Sequence, residues 1–418
     1  MNLARVHPRA AVALLLTCAL AGCVTENAPR PTRTSTTGAT LPEGPIAAPA
    51  RAVSITSRVL IGLRPVGRIA YDGHVLPLTS PDGRFCAVQE GDPPTWSTLL
   101  AAPDSQPPLG NTLAVYDLST SPPTRLGSSL SAESGLLLGR AADHRGFLVE
   151  SVRPTGARWI GLASWQAGNI QWLASDEAVS AHGMLTPEGL LVYTRRPIDG
   201  TRADLVVKSP SGAVDVRSDP SRPYAMPLAT QDPATIYTLL LTESGIELQA
   251  IGLSTRGDAA KFGPVLARRL ISSARDIATA YQVAAPFQAP FPAGTAAPGP
   301  IVDDGVLAIF SPLLGRMAAF DVRTGALMPL APSSIAAVPW SSASRPGFLC
   351  TTPGGLVFVP QPEPGKVDSA PEAKVLAESY IVRRTTDPAT PALLFGPVRS
   401  DPRLLEIVGV SPADPDAE

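Results

Sequence analysis

Ser80-Pro81-Asp82-Gly83-Arg84-Phe85-Cys86-Ala87-Val88 sets a turn directly against an apolar run. Proline presets φ, the aspartate is within reach of backbone amides, and glycine tolerates positive φ, so the chain reverses and enters a strand. The unit recurs. Thr186-Pro187-Glu188-Gly189 precedes Leu190-Leu191-Val192, and Val302-Asp303-Asp304-Gly305 precedes Val306-Leu307-Ala308. Gly146-Phe147-Leu148-Val149 and Gly347-Phe348-Leu349-Cys350 carry it less completely, and degenerate members begin at Asp232 and Asp387.

A second strand follows each of these units. It reads Leu113–Leu118, Trp159–Ala163, Asp204–Lys208, Glu247–Ile251, Met317–Val322, Leu356–Val359 and Leu405–Val410. The repeat glycines are spaced by 63, 43, 116 and 42 residues, the 116 passing one degenerate unit. With insertions subtracted the period is about 43, within the ~40–45 residues of a four-stranded propeller blade. The expected fold is therefore all-β: a β-propeller of about seven four-stranded blades over residues 51–412. Each blade has two apolar faces that only neighbours can cover, so the blades must close into a ring. Val53-Ser54-Ile55-Thr56 or Val59-Leu60-Ile61 is expected to close it on the last blade. Trp159, Trp165 and Trp172 are read as blade packing.

Thr79-Ser80-Pro81-Asp82-Gly83-Arg84-Phe85 resembles the Ser-Pro-Asp-Gly turn of WD-repeat and Tol-Pal periplasmic propellers. Ala319-Phe320-Asp321-Val322-Arg323-Thr324-Gly325 is similar to their Asp-x-x-Thr-Gly turn. The resemblance implies a propeller whose partner is a protein.

The N-terminus carries a different signal. Arg5, His7 and Arg9 precede an apolar run from Ala10 to Gly22, too short for a bilayer span of ~20 residues. Residues 1–22 read as a signal peptide. Leu20-Ala21-Gly22-Cys23 resembles the lipobox of bacterial lipoproteins, which implies cleavage before Cys23 and lipidation of its thiol. The membrane would then be held through the N-terminal lipid. Val24, rather than an aspartate, follows the cysteine, which suits an exported protein anchored at the outer membrane, on its periplasmic side or at the cell surface. Residues 23–50, rich in Thr, Pro and Ala, bury too little to fold and are read as a disordered tether. Residues 413–418 form an acidic tail.

The chain's 34 basic and 36 acidic residues leave no excess to hold a phosphate backbone, so nucleic acid is an unsuited partner. No nucleophile elbow, His-Glu-x-x-His, Cys-x-x-Cys or phosphate-cradling loop is found, and no catalytic residue, metal site or cofactor is assigned. His74, His144 and His182 lie near acids or turns and read as solvated turn residues. Cys86 and Cys350 each stand three residues after a repeat glycine, where Val149, Val192 and Ala308 stand in other units. They are expected to occupy one strand position in separate blades, too far apart for a disulfide.

Two insertions depart from the repeat. Gly91–Gly110 separates the second and third strands of the first blade, and a Pro- and Ala-rich stretch from Ser272 to Pro298 precedes strand Pro300-Ile301-Val302. Connections from second to third strand and from blade to blade leave one face, so both insertions are expected there. Long loops on a rigid scaffold concentrate binding, which makes Trp96, Phe287 and Phe291 candidate contacts. The reading that results is a lipid-anchored extracytoplasmic propeller acting as a protein-binding or assembly scaffold of the cell envelope. The alternatives are a propeller enzyme of hydrolase or lactonase type and a carbohydrate-binding surface protein. A Trp after Ser-x-Asp-x-Gly or after the Thr-Gly turn would mark sialidase or quinoprotein repeats, and Thr324-Gly325 is instead followed by Ala326-Leu327-Met328-Pro329.

Overall fold

The Ser80 turn is built as its residues dictate. The Gly83 amide donates to Ser80 O at 2.9 Å with Gly83 at φ 67°, and the Phe85 amide donates to Ser80 Oγ at 2.8 Å. Asp82 Oδ1 accepts from Ser80 Oγ at 2.6 Å and from the Arg84 amide at 3.1 Å. Thr186 repeats the design, its carbonyl accepting the Gly189 amide and its hydroxyl the Leu190 amide. Gly146 differs from expectation, because it opens a strand and Asp143 makes the turn before it. Asp143 Oδ1 accepts the Arg145 and Gly146 amides at 2.8 and 3.0 Å.

The computed structural model describes residues 63–70, 77–90, 112–132, 135–166, 168–186, 188–228, 234–256, 259–275, 302–303, 306–311, 314, 316–321, 327–332, 334, 336–341, 346–352, 355–360, 374–377, 381–383, 393–398 and 401–410. The signal peptide, the tether and the acidic tail lie outside them. The described residues contain strands and turns but no helix, and all fall in the unit Leu41–Glu418.

Strand β1 (Leu63–Ala70) precedes the first turn. Blade 1 follows as β2 (Leu78–Thr79), β3 (Phe85–Glu90), β4 (Thr112–Asp117) and β5 (Thr124–Arg125). Blade 2 is β6 (Leu137–Ala142), β7 (Gly146–Val152), β8 (Arg158–Ser164) and β9 (Ile170–Ala174). Blade 3 is β10 (Val179–Leu185), β11 (Leu191–Arg196), β12 (Asp204–Lys208) and β13 (Val214–Arg217). One parallel pair, Val179 with Arg158, joins blades 2 and 3 into an eight-stranded sheet. Blade 4 is β14 (Tyr224–Leu228), β15 (Thr235–Thr242), β16 (Gly245–Arg256) and β17 (Ala259–Ser272). Blade 5 is β18 (Val302–Asp303), β19 (Val306–Ser311), β20 (Arg316–Asp321) and β21 (Leu327–Pro329). Blade 6 is β22 (Ala336–Ser341), β23 (Pro346–Thr352), β24 (Gly355–Pro360) and β25 (Lys374–Ala377). The last group is β26 (Ile381–Arg383), β27 (Leu393–Val398), β28 (Asp401–Val410) and, returning from the N-terminal side, β1. The described strands thus sort into seven four-stranded antiparallel groups. Every glycine-led unit of the sequence is a second strand, and every companion run is a third.

The ring follows from what covers the faces. Separate apolar clusters join the last group to blade 1, blade 1 to 2, 2 to 3, 3 to 4, 4 to 5 and 5 to 6. β26 lies beside β22 and β23, which completes the circle. First strands neighbour one another, β2 with β6, β6 with β10 and β10 with β14, so they form the inner wall. Trp165, 3% exposed, stacks on Phe85 at 5.9 Å and packs on Phe147 at 4.7 Å, filling the seam between blades 1 and 2. Trp172 meets Trp159 edge-on at 5.6 Å within blade 2.

Two expectations need correction. The closing strand is Leu63–Ala70, paired to β28 from Leu63↔Val410 to Ala70↔Leu404. The segments expected to close the ring, 53–56 and 59–61, lie outside the described residues. Pro65 and Gly67 conceal this strand in the sequence, because the register slips between them as a bulge that absorbs both. Gly67 holds φ 148°, and a Cβ there would stand 2.3 Å from Pro123 Cδ of blade 1, so the closing strand needs a residue without one.

The second correction concerns the positions three residues after the glycines. Cys86 faces the preceding blade, as do Val149 and Cys350, but Val192 joins the cluster between blades 3 and 4. Gly189 stands two residues ahead of its strand just as Gly83 does, so the distance from the repeat glycine does not by itself fix which face a side chain takes. The two thiols are nevertheless buried in different clusters and form no disulfide with each other. Burial pushes the Cys350 thiol up to about 12.

Candidate functional site

Cys23, Trp96, Phe287 and Phe291 lie outside the described residues, and so does His74. What is described is where the chain leaves the ring and returns. The first insertion departs after β3 and re-enters at β4, between second and third strands, and the second departs after β17 and re-enters at β18, between blades. Strands alternate in direction through each blade, so both points of departure lie on one face of the ring.

The base of the first insertion is pinned. Glu90 Oε2 accepts from Arg125 Nη2 at 2.9 Å, Ser129 Oγ at 2.8 Å and Thr112 Oγ1 at 3.3 Å. The base of the second is set by Ile271 and Ser272, both buried at the end of β17, with the Ala274 amide donating to Ser272 Oγ at 3.1 Å.

The inner wall holds a feature that sequence reasoning missed. His182 is not a turn residue; it sits inside β10, and it is the one non-glycine residue at positive φ, 60°, among those described. Pairing with β11 slips between Ala181↔Thr194 and Met184↔Val192, so His182 and Gly183 together bulge opposite Tyr193. The bulge turns the His182 amide out of the ladder, and it donates to Glu150 Oε1 of blade 2 at 2.7 Å. Glu150 is also paired with Arg158 Nη1 at 3.4 Å, with side-chain exposures of 11% and 13%. Thr194 Oγ1 gives its single proton to Ala181 O at 3.1 Å, which leaves its lone pair to accept from His182 Nδ1 at 2.9 Å. The hydroxyl therefore selects the tautomer that carries its proton on Nδ1.

Blade 1 carries a neutral version of this brace. Gln89 Oε1 accepts the Leu138 amide of β6 at 3.0 Å, again beside a register slip in the inner strand. Glu150 and Gln89 are each the fifth residue of a second strand, and each reaches across to the next blade's inner strand. A single polar residue at the end of an otherwise apolar run, Phe147-Leu148-Val149-Glu150 and Ala87-Val88-Gln89, was the available signal. His144 is exposed. Among the described residues no three His, Cys, Asp or Glu side chains gather as a metal site.

No protein-family model matches the chain, and no curated protein matches it in sequence. Solved structures are similar at low identity. Prolyl oligopeptidase B from Galerina marginata is 13% identical, with a TM-score of 0.42 over 77% of this chain and 46% of that one, so this chain spans about half its length. A chain of the mitotic checkpoint complex is 12% identical, with a TM-score of 0.46 over 91% of this chain and 99% of that one. TolB from Acinetobacter baumannii is 11% identical, with a TM-score of 0.33 over 78% and 80%.

Proposed function

We propose that this chain is a lipid-anchored, extracytoplasmic β-propeller that acts as a binding or assembly scaffold for a protein of the cell envelope. The observation that carries the reading is that both long insertions depart from one face of a closed ring, one from a base clamped by Glu90. Such a face presents loops of fixed origin and variable content, the arrangement by which rigid scaffolds bind. Polar groups between the described blades brace the ring: Glu150 and Gln89 hold inner strands, and Arg217 donates to Tyr224 Oη and Gly263 O. Anchoring rests on Leu20-Ala21-Gly22-Cys23 and the apolar run before it.

Two experiments test the reading separately. Cys23→Ser should move the protein from the membrane to the soluble fraction, and unchanged retention would remove the anchor. A photo-reactive residue placed at Trp96, and in a second variant at Phe287, should crosslink the same envelope protein in cells. Crosslinks at neither position, or to unrelated proteins at the two, would refute the scaffold.

A further inference from the structure

Five large aliphatic side chains stand out as exposed among the described residues: Val214 (54%), Val216 (46%), Val265 (37%), Leu266 (57%) and Leu270 (40%). All five lie on β13 and β17, the outer strands of two neighbouring blades. These strands are fastened together: the Phe262 amide donates to Asp215 Oδ2 at 2.8 Å and Arg217 Nη1 to Gly263 O at 2.8 Å. Val214 and Val216 alternate with Asp215 and Arg217 and so leave the face of β13 turned from β17, whereas Val265, Leu266 and Leu270 stand on β17 itself, the outer edge of blade 4. A concentration of this kind among the described residues marks an interaction surface.

The charge along the same strand is one-sided. From Ala259 to Arg275 the sequence is AAKFGPVLARRLISSAR, with four basic residues and no acid, and Lys261 and Arg275 are exposed. Asp215 and Glu247 meet this strand from β13 and β16, and the remaining excess of base suits an anionic partner. The backbone argues against an added peptide strand. Pro264 has no N–H to donate, and the register with β16 slips at Ala250/Ile251 and again at Ile251/Leu253, which twists the edge away from a regular ladder. Exposed side chains also leave both faces of the strand, Val265 and Leu270 on the side of Ile251 and Glu247, and Leu266 on the side of Gly252, where a Cβ would stand 3.7 Å from its Cδ2. A fluid interface accepts apolar groups from both faces and needs no backbone register. A peptide does not.

We propose that the outer edge of blades 3 and 4 docks on an anionic phospholipid surface, with Leu266 and Leu270 entering the interface and Lys261 and Arg275 meeting the headgroup phosphates. The contact does not depend on a lipid at Cys23.

The test uses the full chain carrying Cys23→Ser, so that no attached lipid contributes, in sedimentation with vesicles of phosphatidylglycerol and phosphatidylcholine. Leu266→Ser/Leu270→Ser in the same background should bind ~10-fold more weakly, the rest of the chain being common to both. Lys261→Gln/Arg275→Gln should lose ~5-fold per residue, because each base near an anionic surface contributes about that factor, and the loss should vanish in high salt. Pure phosphatidylcholine vesicles should not distinguish parent from charge variant. All four sites are exposed, and an unchanged unfolding midpoint verifies that the variants are folded. Equal binding of parent and leucine variant to anionic vesicles would overturn the proposal. So would a parent that ignores vesicles yet binds an acidic peptide, or dimerises, in a manner abolished by the leucine variant.

Discussion

Replacing Glu150 tests whether blades 2 and 3 are held by the brace on β10. In Glu150→Ala the His182 amide loses a charged acceptor at 2.7 Å and Arg158, 13% exposed, loses its carboxylate at 3.4 Å. A hydrogen bond to a charged group contributes ~1.5–3 kcal/mol, and breaking a buried pair from one side costs ~3–5 kcal/mol. Both effects remove the same carboxylate, so they overlap, and the expected loss is about 3–5 kcal/mol. Glu150→Gln keeps an acceptor of the same shape and loses only the charge, which leaves an expected cost of ~1–2 kcal/mol. For a ring of this size a kcal/mol moves the thermal midpoint by roughly 2 °C, giving shifts of about 6–10 °C for alanine and 2–4 °C for glutamine. Circular dichroism melts of parent and variants read the midpoint, and amide exchange reads the His182 N–H directly. Exchange should accelerate strongly in the alanine variant and weakly in the glutamine one. Alanine and parent melting within a degree of each other would refute the brace. Glutamine as damaging as alanine would show that the Arg158 pair, not the bond to the bulge, does the holding.

Three further outcomes are expected. Gly67→Val should destabilise the closed ring by ~2–4 kcal/mol, because its Cβ would meet Pro123 Cδ, read as a lowered urea midpoint; an unchanged midpoint would mean that closure does not run through this contact. Burial pushes the Asp117 and Asp219 carboxyls up, but the Ser119 and Arg84 bonds to one and the Arg222 and Ser221 bonds to the other outweigh it and hold both below their ordinary value. Depressed carboxylates contribute stability above the unfolded value and lose it as pH falls through the folded one. Melting should therefore be flat at neutral pH and fall below about pH 4, less steeply in Asp117→Asn/Asp219→Asn; identical acid profiles would contradict this. Cys350 should resist iodoacetamide at pH 8 in the folded protein, since its thiol is buried and burial pushes it up to about 12, and peptide mapping after denaturation without reductant should find Cys86 and Cys350 both alkylated. A Cys86–Cys350 crosslinked peptide would refute their separation.

Much of the ring was legible because its signals are local. The Ser80 and Thr186 turns depend on φ limits and on hydroxyl and carboxylate reach within five residues, and the structure places those bonds where the sequence puts them. Glycine-led second strands and their third-strand partners appear as adjacent apolar runs, so the degenerate units at Asp232 and Asp387 were found by spacing and precede β15 and β27. At Gly146 the local signal misleads. The letter recurs, yet its role passes from turn to strand when Asp143 supplies the turn.

Alternation and turn chemistry act over a few residues, so the second and third strands, the blade period and the points where two insertions leave the ring could be read from the chain alone. Features that depend on distant neighbours follow from packing instead. Leu63–Ala70 becomes a strand because β28 pairs with it across the whole chain, and Pro65 and Gly67 are tolerated because an edge bulge takes them in. Glu150 becomes a brace, and His182 a strained inner-wall residue, only when blade 3 is laid against blade 2. The aliphatic rim is a surface only because β13 and β17 end up as adjoining outer strands. Side-chain patterns report which face of a strand is apolar, but what covers that face, or leaves it bare, is settled by packing between segments far apart in the chain.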